Sequence, residues 1–128
     1  MKMVEDPKDN GDSRTLIVSI VMKGWGDAVI EASMKAGAEG GTILFGRGIG
    51  IHEKKKILGI PVEPEKEIVL TITPPHKVDA IMSEIVKAAR LGEPRRGIAF
   101  TLPVDRFVGV AHAFLSDLPQ EPSTNSGS

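Results

Sequence analysis

The chain has 128 residues, a length suited to one domain, and 41% of them are hydrophobic, enough to bury a core. A formal net charge of −1 leaves no electrostatic footprint for nucleic acid, and a single Trp with no Tyr offers no base-stacking platform. There is no cysteine, which excludes disulfides and thiolate metal sites and suits the cytoplasm; the longest apolar run, Leu16 to Met22, is too short to cross a bilayer.

Residues 1–13 are polar and acidic and read as a loose leader, not a signal peptide. Thr15 to Met22 is rich in β-branched residues and reads as a first strand, apolar on both faces. A helix is expected from about Trp25 to Ala36, with Trp25, Val29, Ala32 and Ala36 on one face and Gly37 behind its last turn. Thr42 to Gly46 is a second strand. Gly50 to Lys66 is a long excursion with no clean period, carrying the basic triplet Lys54, Lys55 and Lys56 beside Ile57 and Leu58. Lys66 to Thr73 alternates as a third strand, with Lys66, Ile68, Leu70 and Ile72 on one face. A second helix follows from about Lys77 to Leu91, with Val78, Ile81, Ile85 and Ala89 as its core stripe and Gly92 closing it. Ile98 to Leu102 is a fourth strand, after which Pro103-Val104-Asp105 turns the chain. Phe107 to Phe114 is a candidate edge strand, the domain spans 14–115, and 116–128 reads as a disordered tail.

The order β-α-β-β-α-β folds as an α+β ferredoxin-like sandwich, a four-stranded antiparallel sheet with both helices on one face. The other sheet face is apolar and bare, so another copy of the chain is expected to cover it.

The stretch from Gly37 to Gly50, G-A-E-G-G-T-I-L-F-G-R-G-I-G, is the chain's most unusual feature. Such a loop is either flexible or a nest of backbone N–H groups for an anion, to which Arg47 adds charge. Catalytic signals are weak. His52, His76 and His112 form no metal-binding spacing, no serine sits in a nucleophile elbow, and Glu63, Glu65 and Glu67 alternate along a strand as solvated carboxylates would. No enzyme activity and no metal site are expected.

With E-K-E-I-V-L and A-A-R-L-G-E-P-R-R-G-I-A-F-T-L-P-V, the glycine-rich stretch resembles the nitrogen regulatory P-II signalling family over roughly residues 14–110. The resemblance implies a cytoplasmic homotrimer that binds an adenine nucleotide (ATP, ADP or AMP) in the clefts between subunits. It implies a regulator whose loop, here 50–66, touches a target enzyme or membrane transporter of nitrogen or related metabolism. By position, Gly40 and Thr42 match the adenine cleft. Gly48 and Gly50 match the glycines at the loop base beside the phosphates, Lys66 the lysine that ends the loop, and Gly92 and Gly97 the ends of a basic turn. Arg95 and Arg96 stand in that turn where the family has glycine and aspartate, and are read as phosphate ligands. The target-binding residues implied are His52, Lys54, Lys55, Lys56, Ile57 and Leu58.

The departures are as specific. The loop is shorter and has no tyrosine to be uridylylated. His52 replaces the loop-base glutamine, which leaves magnesium and 2-oxoglutarate without that ligand. Ile98 stands where a lysine is common, and Gly109 and Ala111 replace two phosphate-gripping arginines. The alternative is a trimeric relative of the metal-tolerance type that binds no nucleotide.

Overall fold

The computed structural model describes residues 13–50 and 55–109. The expected leader, the tail, His52, Lys54, His112 and most of the candidate edge strand lie outside the described residues.

Four strands, β1 (Arg14–Met22), β2 (Thr42–Arg47), β5 (Glu65–Thr73) and β6 (Gly97–Val104), form an antiparallel sheet in the order β2-β5-β1-β6. Two helices, α1 (Gly26–Lys35) and α2 (Val78–Ala89), pack against one of its faces. This is the ferredoxin-like sandwich. The register sets Ile17 opposite Thr71 and Ser19 opposite Val69, so one alternate set of side chains points at the helices. Ile17, Val21, Val69, Val29, Ile81 and Ile85 are fully buried there. Each such side chain contributes roughly 1.5–3 kcal/mol through removal from water.

The other alternate set is left without a cover within the chain. Leu44, Ile72, Ile98, Phe100 and Leu102 lie on this face and are 41–56% exposed. Across the sheet Leu44, Ile68, Ile20 and Ile98 form one apolar row.

The helix ends are fixed by distant groups. Trp25 at the N-cap of α1 offers no side-chain cap. Glu67 takes that role from β5: its carboxylate accepts from the Gly24 N–H at 3.0 Å and the Gly26 N–H at 2.7 Å. A carboxylate there satisfies orphan donors and favours the positive end of the helix dipole. This corrects the reading of the glutamates as a solvated edge. Glu67→Ala is expected to lower stability by about 1–2 kcal/mol. A urea midpoint equal to the parent's would refute that role.

At its far end α1 closes with a Schellman pair, Ala38 N–H to Ser33 O at 2.9 Å and Gly37 N–H to Met34 O at 3.0 Å. Lys77 Nζ also donates to the Gly37 carbonyl at 3.1 Å. The second helix begins later than its periodicity suggests, because Pro75–Lys77 forms a 3₁₀ turn ahead of it. It also ends earlier. Arg90, not Gly92, adopts the left-handed conformation at its end, and Leu91 N–H reaches Val86 O at 3.1 Å.

Two further boundaries differ from expectation. Pro103 does not turn the chain; β6 runs through it to Val104, because β6 is an edge strand and needs no outward donor there. Residues 105–109 are not a strand, and Phe107 lies under the Arg14 guanidinium, 5.1 Å from ring centroid to Cζ.

The excursion between β2 and β5 contains a hairpin, β3 (Lys55–Ile57) with β4 (Ile60–Val62). Leu58 (φ 54°) and Gly59 (φ 80°) make its two-residue turn, with positive φ at both positions as a type I′ turn requires. The Gly48 N–H to Pro64 O bond, 3.2 Å, ties the two stems together below it.

Candidate functional site

A cavity of about 440 Å³ opens on the uncovered face, at the end where the excursion leaves the sheet. Its floor is Ile20, Ile68 and Ile98, adjacent members of the apolar row. Gly46, Arg47, Gly48, Ile49 and Gly50 form one wall, the exit of β2 into the loop. Lys66 at the start of β5 and Arg95 with Gly97 at the start of β6 complete it. The sheet brings these segments together because Gly46 pairs with Lys66 in the row next to Leu44, Ile68, Ile20 and Ile98.

The lining holds three cations, Arg47, Lys66 and Arg95, and no carboxylate. It also holds four glycines, Gly46, Gly48, Gly50 and Gly97, which let a ligand approach the backbone closely beside those cations. An apolar floor with a cationic, glycine-lined wall suits a ligand that has a flat apolar part and an anionic part. Lys66 Nζ lies 3.7 Å from Met22 Sδ on the same face. Arg95 has φ 67°, and Gly97 has φ 135°. At Gly97 a Cβ would overlap the Ile20 carbonyl oxygen, so the backbones of β6 and β1 meet here at a distance only glycine allows.

Of the nucleotide-site residues expected from the sequence, Gly48, Gly50, Lys66, Arg95 and Gly97 line this one cavity. Arg47 joins them in the lining, and the glycine-rich stretch pointed to its charge, although the register pairs it with Glu65, in the alternate set to Gly46 and Lys66. Arg96 is turned to the helix face. Its guanidinium lies 4.2 Å from the Trp25 ring centroid, and its Nε–H donates to the Ala89 carbonyl at 3.3 Å. Gly40 and Thr42 lie at the other end of β2, and Gly92 is exposed on the turn after α2. Lys55, Lys56 and Ile57 form β3, and Leu58 is 95% exposed at the hairpin tip.

Lys23 and Glu65 form an exposed ion pair of 2.8 Å beside the site. Their hydrogen bond, and secondly their Coulomb attraction, raises the Lys23 pKa and lowers that of Glu65. The Glu65 contribution is therefore present above its unfolded pKa and lost as pH falls through the folded value. That of Lys23 is present below its unfolded pKa and lost as pH rises through the folded one. Salt screens both, since both side chains face solvent.

Among the described residues no cluster of three His, Cys, Asp or Glu could hold a metal, and no helix is long and apolar enough to cross a membrane.

No curated protein matches the sequence significantly. The solved structure of the Arabidopsis thaliana PII protein bound to citrate is similar to this chain, with a TM-score of 0.58 and 26% identity over 73% of this chain and 78% of that one. The family model described as nitrogen regulatory protein P-II matches residues 14–112, from the first residue of β1 to beyond the end of β6. That match takes in every described strand, both helices, the excursion and the whole cavity wall, and the chain belongs to the nitrogen regulatory protein P-II family.

Proposed function

We propose that the chain is a homotrimeric P-II-like signalling regulator, not an enzyme, which binds the phosphates of an adenine nucleotide in the cavity and signals to a target through the loop 50–66. The observation that carries this reading is the lining itself: Arg47, Lys66 and Arg95 with no carboxylate, at the base of the excursion. Charge-assisted bonds from such groups to phosphate oxygens are among the stronger polar contacts in water. The citrate in the Arabidopsis relative is a polyanion, in keeping with a cationic pocket. Gly40 and Thr42 are assigned to the adenine part of the cleft, across the subunit boundary, and Gly92 to the end of the basic turn that carries Arg95. The target is an enzyme or transporter of nitrogen or related metabolism, met in the cytoplasm. Isothermal titration with ATP, ADP and AMP tests the reading. Saturable heat with at least one is expected; heat with none would favour the trimeric relative without nucleotide.

The uncovered apolar face supports the trimer. Its Leu44, Ile72, Ile98, Phe100 and Leu102 form an exposed surface of the kind that marks an interface. Light scattering at micromolar concentration is expected to give the mass of three chains. A monodisperse monomer would remove the proposal of clefts between subunits.

The hairpin supports the signalling role. It projects from stems tied at Gly48 and Pro64, and Gly48 also lines the cavity. A ligand at Gly48 therefore biases the stems, with Lys55 and Lys56 steering an acidic partner. Hydrogen exchange across 50–66 is expected to slow on addition of ADP. Identical exchange with and without nucleotide would mean this segment is not a switch.

A further inference from the structure

We propose that Arg96 is a positioning residue that holds Arg95 at the cavity by anchoring the α2–β6 turn to the start of α1. The inference rests on the reading of the cavity as an anion site.

Arg95 and Arg96 are neighbours with opposite surroundings. Arg95 lines the cavity and is exposed, while Arg96 is half-buried on the helix side. The Arg95 backbone is left-handed, at φ 67°, a conformation that side-chain-bearing residues keep only where their surroundings enforce it. Both following residues supply that enforcement. Arg96 stacks on Trp25 at 4.2 Å and donates to the Ala89 carbonyl at the end of α2. Gly97 is pressed against the Ile20 carbonyl. The Arg96 Nη2 is buried with no hydrogen-bond partner among the described residues, so stacking on the indole carries much of what holds this guanidinium.

The anchor is shared. Trp25 lies between Gly24 and Gly26, whose N–H groups both donate to Glu67. Glu67 follows Lys66, which lines the cavity. Two of the three cavity cations, Arg95 and Lys66, are thus each one residue away from a side chain locked onto the segment 24–26. Lys66 and Glu67 are adjacent on β5 and face opposite sides of the sheet, while the left-handed turn at Arg95 parts it from Arg96. A ligand that pulls on Arg95 and Lys66 is felt at Trp25, the chain's single Trp.

The test is a double-mutant cycle read with ADP as probe, together with Trp25 emission. Arg96→Ala is expected to weaken ADP binding about tenfold although Arg96 does not line the cavity. In an Arg95→Ala background the same substitution is expected to cost nothing more, because there is no cation left to position. ADP is expected to shift Trp25 emission in the parent and not in Arg95→Ala. Equal losses in both backgrounds, or unchanged affinity in Arg96→Ala, would overturn the proposal. A second measurement needs no ligand. Exchange of amides 94–98 in Arg96→Ala, or in Arg96→Lys should the alanine variant not fold, is expected to be about tenfold faster than in the parent, with β1 unchanged. Unchanged exchange there overturns the positioning role. A parent chain that gives no heat with ATP, ADP or AMP refutes the nucleotide reading instead, and the exchange measurement still decides the role of Arg96.

Discussion

Gly97→Ala is expected to be the most damaging single-methyl change in the chain, with a loss of about 2–6 kcal/mol. Two costs add. At φ 135° a side chain occupies a conformation nearly reserved for glycine, which costs roughly 1–3 kcal/mol. The new Cβ also meets the Ile20 carbonyl oxygen, a backbone atom of a central strand that cannot move aside as a side-chain tip would. Overpacking of that kind costs about 1–3 kcal/mol more. Against a typical total of about 5–15 kcal/mol, this leaves a marginal protein. Urea unfolding of the variant checks it. A midpoint shift worth less than about 1 kcal/mol would mean that β6 can back away from β1 at this point without cost.

Lys66→Ala combined with Arg95→Ala is expected to abolish nucleotide binding while leaving the fold largely intact. Each side chain offers charge-assisted hydrogen bonds to phosphate, worth about 1.5–3 kcal/mol apiece. The double variant should therefore lose at least two orders of magnitude in affinity. Arg95 is exposed and contributes little to the core, so the unfolding midpoint should move far less than in Gly97→Ala. The parent affinity should also fall with added salt, as expected of cations meeting a polyanion near solvent. A double variant that binds ADP as the parent does would place the phosphates away from this cavity.

The contrast between the two variants follows from where neighbouring residues point. Arg95 and Gly97 both line the cavity and lie within one turn. One presents a side chain to the ligand; the other is present because no side chain fits. In the sequence P-R-R-G these roles look alike, as a basic turn ending in a glycine. The same holds for Arg95 and Arg96. Adjacent arginines read as one phosphate-binding pair until the turn ahead of β6, left-handed at Arg95, sends one to the cavity and the other onto Trp25.

Glu67 shows the other kind of blindness. Sequence signals for a helix start are local, a capping residue just ahead of an apolar run. Trp25 is not such a residue, and the carboxylate that caps α1 stands 41 residues away along the chain. Nothing in the alternation of Glu63, Glu65 and Glu67 marks the one that will meet two N–H groups. The hairpin was illegible for a different reason. Leu58-Gly59 lacks the Asn-Gly or Asp-Gly chemistry that normally marks a two-residue turn, and Leu58 adopts positive φ against its own preference.

The sequence by itself determined the order of the four sheet strands and two helices, the core stripes and the uncovered apolar face. Those depend on periods of two and 3.6 residues, which local composition carries directly: Ile17, Val21 and Val69 alternate with Val18, Ile20 and Ile68, and Ile81, Ile85 and Ala89 recur along α2. It also carried the resemblance that the family match bears out. The tertiary structure alone decided which cations share a cavity, which glutamate caps a helix and where glycine is obligatory. Those are matters of register. Gly46 meets Lys66, and Ile20 meets both Ile68 and Ile98, only because β5 and β6 flank β1 at one alignment. A slip of β5 by one residue would exchange its faces and move Lys66 and Ile68 to the side away from Ile20 and Ile98.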